Sequence, residues 1–173
     1  MATYGDKPYG LNDVKVVSTT GLQKDYPIAQ TLKFGIRVAS GELSGDDQLV
    51  AVAANVEAVE WELSAGGISL DAYGVMMGLT PISSDSTPSA YYTLAVTSAA
   101  RLPYFKIYGK SLGDGTDDLH VKIPKAKVTD TIEGELKNGE FLVTSCSGIG
   151  VADANGHCLI LVQDETAQSL PLT

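Results

Sequence analysis

His120 and His157 are the only histidines of the chain, and Cys146 and Cys158 its only cysteines. Acid–base, thiol and metal chemistry therefore have few residues to draw on. His157 stands beside Cys158, but adjacent residues of a strand point to opposite faces, so the two do not make a nucleophile–base pair. Neither a paired-cysteine zinc signature nor the Gly-x-Ser-x-Gly elbow of a serine hydrolase is present. The fragment YGKS, from Tyr108 to Ser111, has the ending of a phosphate-binding loop, yet that motif needs a glycine where Tyr104 stands. Asp114, Asp117 and Asp118 offer oxygens in GDGTDD without the ligand spacing of an EF-hand, and read as a polar hairpin turn. Glu60 and Glu62 share a strand face, as a carboxylate pair for acid–base work would, but charges so placed are more commonly a solvated face. No catalytic residue, cofactor site or metal site is expected, and the chain does not read as an enzyme.

The elements around these residues are mostly strands: Val-, Thr-, Ile- and Tyr-rich runs punctuated by Gly, Asp, Asn and Pro. After a loose leader (residues 1–10, an N-terminal arm) comes LNDVKVVSTT. Two unusually long runs then form a predicted hairpin over residues 28–64, IAQTLKFGIRVAS and QLVAVAANVEAVEWELS, joined by a polar loop, GELSGDD. Leu32, Phe34, Ile36 and Val38 alternate with Thr31, Lys33 and Arg37, the period-2 signature of a half-buried strand. In the second run Val59, Trp61 and Leu63 alternate with Glu60 and Glu62, but Glu57 falls on the Trp61 parity, which predicts a bulge near Ala58. Sixteen residues at ~3.3 Å each reach roughly 50 Å, far beyond the usual strand.

A helix is predicted over residues 69–78, with Ser69 as N-cap, Asp71 in the first turn, Ile68 and Tyr73 as a hydrophobic staple, and Gly78 as the stop. Its apolar stripe is Leu70, Tyr73 and Met77, with Met76 filling core gaps. Further strands follow: AYYTLAVTS, a hairpin of LPYFKIYGKS and LHVKIPKAKV across GDGTDD, a second hairpin closed by Asn138–Gly139, and HCLILVQD. The last hairpin signal, DANG, lies between Cys146 and Cys158 and would place them on neighbouring strands. Paired cysteines of this kind in intracellular β proteins are usually small buried hydrophobes rather than a disulfide. Residues 164–173 read as an extended C-terminal arm ordered by a neighbour.

The 173 residues fit one domain with its own core. Twelve Lys and Arg against 21 Asp and Glu give a formal net charge of −9. A nucleic-acid binder needs a basic face to neutralise phosphates, and the nearest candidate, Lys122, Lys125 and Lys127 around Pro124, reads as a solvated face. No basic region followed by an apolar run suggests a secretory signal, and no apolar stretch approaches the length of a bilayer span. Synthesis and retention in a cytoplasm are expected.

The long pair flanking GELSGDD, the passage EWELSAGGISLDAYGVMMGL from strand into helix, and the runs PYFKIYGKS and VKIPKAKVTDTIEGELKNGEFLVTSCSGIGV have an order that resembles the tail tube (major tail) proteins of long-tailed bacteriophages. The resemblance covers nearly the whole chain and rests on architecture rather than on a diagnostic motif. It implies a mainly β fold, a β-sandwich or barrel with one short flanking helix, whose long hairpin contributes to an inter-subunit barrel. It further implies six copies per ring, rings stacked into a hollow tube that conducts DNA from capsid to host cell, and a place in the virion after assembly in the host cytoplasm. The implied partners are the chain itself, the tape measure protein in the lumen during assembly, tail terminator and tail-tip or baseplate proteins, and DNA in transit without specific binding. On this reading Thr31, Lys33, Arg37, Glu60 and Glu62 are expected to face the lumen, and Glu42, Asp46 and Asp47 to join successive rings.

An acidic wall suits such a conduit, because like charge repels phosphates within a Debye length of ~8 Å. The alternative is a β-sandwich binding or decoration module of a phage particle, in which Tyr4, Tyr9, Tyr91 and Tyr92 would supply a stacking platform.

Overall fold

A computed structural model describes residues 8–45, 48–85, 87–113 and 117–170. Most of the N-terminal arm with Tyr4, the loop residues Asp46 and Asp47, Asp114, and residues 171–173 lie outside the described residues.

The chain is mainly β with one helix. Its strands are β1 (Tyr9–Ser18), β2 (Gln23–Asp25), β3 (Ala29–Gly45), β4 (Gln48–Gly66), β5 (Ile82–Ser84), β6 (Tyr91–Thr93), β7 (Phe105–Leu112), β8 (Asp118–Glu135), β9 (Val143–Gly150) and β10 (Ile160–Asp164), and the helix α1 (Leu70–Met77) follows β4. One antiparallel sheet runs β2-β1-β7-β8-β9-β4-β3, with β10 also on β8, while β5 and β6 form a separate ribbon. The sheet stays open and does not close into a barrel within the subunit. It folds over on itself as a sandwich: Trp61 of β4 meets Phe105 of β7 edge-to-face at 5.7 Å, and the backbone at Gly109 of β7 leaves room for the Leu32 side chain of β3.

The turn of the sheet is made by β8. From Asp118 to Ala126 it pairs with β7, and from Ala126 to Glu135 with β9 on its other edge. Pro124, which has no N–H to donate, falls in the irregularity between the Phe105 and Ile107 pairings, where a ladder bond is not required. β10 takes the edge of β8 that β9 leaves free, pairing Ile160 with Lys122 and Asp164 with Asp118. β9 and β10 are thus consecutive along one edge and not a hairpin. This corrects the expected neighbouring placement of the cysteines: Cys146 lies opposite Ile132, well along β8 from the Lys122 end where Cys158 precedes β10. Both are free thiols. Cys146 is buried beside the Met76 sulfur at 3.9 Å, and burial pushes its thiol up to about 11.

The core fills the space between the layers with Val14, Val16, Val59, Trp61, Leu63, Phe105, Ile107, Ile123 and Val128, closed by α1. Ser69 caps the helix, its hydroxyl accepting from the Ala72 amide at 3.3 Å, and Gly78 ends it in the left-handed region at φ 70°. The buried stripe is Ala72, Tyr73, Val75 and Met76, whereas Leu70 and Met77 lie at its partly exposed margins, so the expected stripe is rotated by a residue or two. The run AYYTLAVTS forms a strand only at Tyr91–Thr93, where it pairs with β5, itself three residues long. No helix among the described residues is long and apolar enough to cross a membrane.

Candidate functional site: a protruding hairpin and its charged face

β3 and β4, of 17 and 19 residues, pair along their whole length. Near the domain the alternation acts as expected. Leu32, Phe34, Trp61 and Leu63 turn to the core, while Thr31, Lys33, Gly35, Arg37, Glu60 and Glu62 share the opposite, open face, Lys33 directly across from Glu62 and Gly35 from Glu60. The register then shifts. Arg37 is opposite Ala58 and Val38 opposite Val56, so Glu57 is the extra residue of a bulge. The parity of Glu57 is reconciled in this way, and its carboxylate bonds Arg37 Nε at 3.1 Å. Arg37 also lies 3.8 Å from Glu60, and Lys33 3.7 Å from Glu62. These pairs are exposed, so they orient the face more than they stabilise it.

The open face continues onto β9 and β8 as a trough of about 460 Å³ lined by Lys33, Glu60, Glu62, Asp130 and Ser147. Two cations therefore look at Glu57, Glu60, Glu62 and Asp130, and carboxylates outnumber them. Within it the Ser147 hydroxyl donates to Asp130 at 3.4 Å.

Beyond the bulge the hairpin leaves the domain. β9 stops pairing with β4 at Val59, and among the described residues β3 has no second neighbour along its length. The core-facing side of the hairpin continues outward as Ile36, Val38, Val52 and Val56, all exposed. A stretch this long with an uncovered apolar side and two free edges is unusual in a monomer.

The first five residues of GELSGDD are not a loop. Gly41 to Gly45 continue β3 and pair with residues of β4, with a second register shift at Val50. Glu42 accordingly sits on a strand, opposite Val52 and on the apolar side, and not on a loop. The extension follows from the strand formers Leu49 to Val52, which give Gly41–Leu43 a ladder to join.

Protein-family models and curated proteins give no match to this chain.

Of the tyrosines of the alternative reading, Tyr4 lies outside the described residues, and Tyr9 and Tyr92 lie apart. Tyr9 opens β1, whereas Tyr92 lies at the helix, its hydroxyl donating to Asp71 at 2.6 Å beside Lys24, which pairs far along β1 with Val16. Lys122, Lys125 and Lys127 are half-buried rather than freely solvated. Lys122 stands over the Tyr108 ring at 5.3 Å, and Lys125 and Lys127 over Tyr104 at 4.8 and 5.2 Å.

A second constellation was not anticipated. Asp118, expected in a turn, opens β8 and is buried with its oxygen Oδ2 as a hub: Lys110 Nζ at 3.0 Å, His120 Nε2 at 2.9 Å and the Gln168 amide, which donates at 2.7 Å. Lys110 also donates to the Gln168 carbonyl. Asp164 approaches His120 from β10 at 3.8 Å. The residues after β10 are thereby strapped onto their own subunit, and Leu170 is buried against Val17 and Tyr108. This differs from the expected neighbour-ordered arm. Asp118, His120 and Asp164 also present three ligand atoms within 4.8 Å, but the Lys110 ammonium already neutralises the shared oxygen, and the group is best described as an ion-pair latch. The period-2 spacing of Asp118 and His120 was the available signal; Asp164 required knowing that β10 pairs with β8.

Burial pushes the Asp118 carboxyl up, but Lys110, the Gln168 amide and His120 together hold it below the usual carboxylate range. A depressed folded value means that the latch contributes fully above the unfolded value near ~3.9 and is lost as pH falls through the lower folded value. Protection of the Gln168 amide against hydrogen exchange, relative to the intrinsic rate at each pH, should therefore be high at neutral pH and fall on acidification below about pH 4. Asp118→Asn should show fast exchange there at pH 7, at a cost of about 3–5 kcal/mol for stranding Lys110. Slow exchange in that variant would refute the latch.

Proposed function

We propose that the chain is a structural, non-enzymatic subunit that assembles with copies of itself into hexameric rings stacked as the hollow tail tube of a long-tailed phage, a conduit for DNA. The observation that carries this reading is the β3–β4 hairpin, which leaves the domain with an uncovered apolar side and free edges. Two edges are open: all of β3, and the part of β4 before Val59. They belong to different strands, so a neighbour's β3 can join the free part of β4 in a head-to-tail manner, and repetition around a ring covers that part of β4 and the matching length of β3. The charged face then lines one side of the resulting barrel and the apolar side packs outward. With Glu57, Glu60, Glu62 and Asp130 outnumbering Lys33 and Arg37, and a chain charge of −9, the wall would let DNA slide without capture. The tape measure protein would occupy the bore during assembly, and terminator and tail-tip or baseplate proteins would close its ends.

Negative-stain electron microscopy of the purified protein over a concentration series tests this. Rings or hollow tubes that increase with concentration are expected. A monomer at high concentration without either form would reject the reading and favour the small binding module.

A further inference from the structure

The latch around Asp118 satisfies one carboxylate oxygen, Oδ2, and leaves the polar atoms beside it without hydrogen bonds. Asp118 Oδ1, both ring nitrogens of His120 and Asp164 Oδ2 are buried, and none has a hydrogen-bond partner among the described residues. His120 is 1% exposed. Its Nε2 lies 2.9 Å from Asp118 Oδ2, yet that oxygen is off the direction of an N–H, so the contact is an approach of charges without an aligned hydrogen bond. Buried polar atoms are seldom left in this condition without a ligand to complete them.

The sheet explains how these atoms meet. Asp118 and His120 are two apart on β8 and share a face, Asp164 of β10 is directly across from Asp118, and Lys110 of β7 is directly across from His120. One ligand atom each from Asp118, His120 and Asp164 lies within 4.8 Å of the other two, with His120 Nε2 and Asp164 Oδ2 3.8 Å apart. Ligand atoms of a tetrahedral zinc, at bonds of about 2.0–2.2 Å, sit roughly 3.3 Å from one another. A short inward movement of Asp164 closes the difference. Its side chain is 30% exposed although Oδ2 is turned inward, which gives an ion its way in. Charge points the same way. With a neutral imidazole, two carboxylates face one ammonium and a buried negative charge is left over. An imidazolium would offset it, but both its N–H groups would need acceptors, and neither nitrogen has one.

We propose that Asp118 Oδ1, His120 Nε2 and Asp164 Oδ2 bind a divalent transition-metal ion of the zinc type. Lys110 keeps Asp118 Oδ2, so the latch and the ion share one carboxylate, each on its own oxygen, and the ammonium orients a ligating group from outside. Coordination engages all of the unpartnered atoms but His120 Nδ1. A set with an imidazole suits zinc, manganese or iron(II) rather than calcium, which takes oxygen ligands alone. The ion's role is structural: it staples β10, which pairs with β8 alone, and so anchors the base of the strap that ends in Leu170. This site does not depend on the tube reading.

The test uses full-length protein treated with a chelator and exchanged into buffer without it. Zn2+ is added to the native protein, and in parallel is present while the protein refolds from denaturant, so that slow entry into a closed site is no barrier. Metal content after gel filtration should be one Zn2+ per chain, and saturating Zn2+ should raise the thermal midpoint by about 5–10 °C. Asp164→Ala alters the one partly exposed ligand and should fold, while affinity falls roughly tenfold or more and the midpoint rise disappears. Asp164→Asn makes the same comparison with side-chain size kept. His157→Gln combined with Cys158→Ser removes the other residues that attract zinc, and should leave binding and the midpoint rise intact. Uptake of no ion by wild type along either route would overturn the site. So would wild-type binding by both Asp164 variants, or loss of binding in the His157 and Cys158 variant.

Discussion

Replacing residues 38–57 by Asn-Gly, so that Arg37 and its cross-strand partner Ala58 are joined by a two-residue turn, should leave a folded subunit that no longer assembles. The excised segment contributes no residue to the buried core, and β9 pairs with β4 only from Val59 onward. The thermal midpoint should therefore stay within a few degrees of wild type. What is lost is the exposed apolar side formed by Val38, Val52 and Val56, and the free part of the β4 edge. A subunit with one open edge cannot close a ring through β-pairing, because each contact needs an edge from both partners. Sedimentation velocity should show a monomer at concentrations where wild type forms large particles, a loss of assembly and not a shift of a few-fold. Rings of normal diameter from this variant would show that the hairpin is not the stave.

The same hairpin shows which parts of the fold were legible before the structure. Local rules sufficed for Ser69 and Gly78 at the helix ends, for the Asn138–Gly139 turn, and for the bulge, because Glu57 broke an otherwise regular alternation. They failed at Gly41–Gly45, where glycine and carboxylates read as a loop although the facing run from Leu49 supplied a strand partner. Long-range pairing was harder still. β8 serves three strands, and nothing near Ile160 in sequence says that it will join Lys122 instead of the closer β9. The errors over the cysteines and over Asp118 share this origin. A turn signal fixes where the chain reverses, but the edge that the returning strand takes depends on which edge is vacant. The open face was readable because Trp61 and Leu63 could turn only one way; its continuation to Asp130 and Ser147 was not, since it depends on β9 lying beside β4.

That dependence makes Gly148 the position where a small change should cost most. Gly148 faces Trp61 on one side and Val128 on the other, in adjacent pairings of β4, β9 and β8. A Cβ there would run into the Lys127 carbonyl and would also stand 2.8 Å from the Trp61 ring. The first obstacle is backbone, so no rotamer change relieves it, and the second is a buried ring already packed edge-to-face on Phe105. Overpacking usually costs about 1–3 kcal/mol, and with a ladder strand displaced Gly148→Ala should reach the upper end or exceed it. For a domain of this size that corresponds to a fall in thermal midpoint of roughly 6–12 °C. Gly35→Ala is the matched control. It lies on the open face, opposite Glu60, with nothing within 4 Å of the added methyl, and should change the midpoint by a degree or two at most. The comparison reaches beyond stability. The Trp61 ring can approach β9 this closely only because Gly148 has no side chain, and that seating holds Glu60 and Glu62 on the open side of β4. A Gly148→Ala protein that stays folded should therefore lose assembly more steeply than its stability loss accounts for, whereas equal midpoints for the two variants would mean that β9 yields and does not set the register of the hairpin.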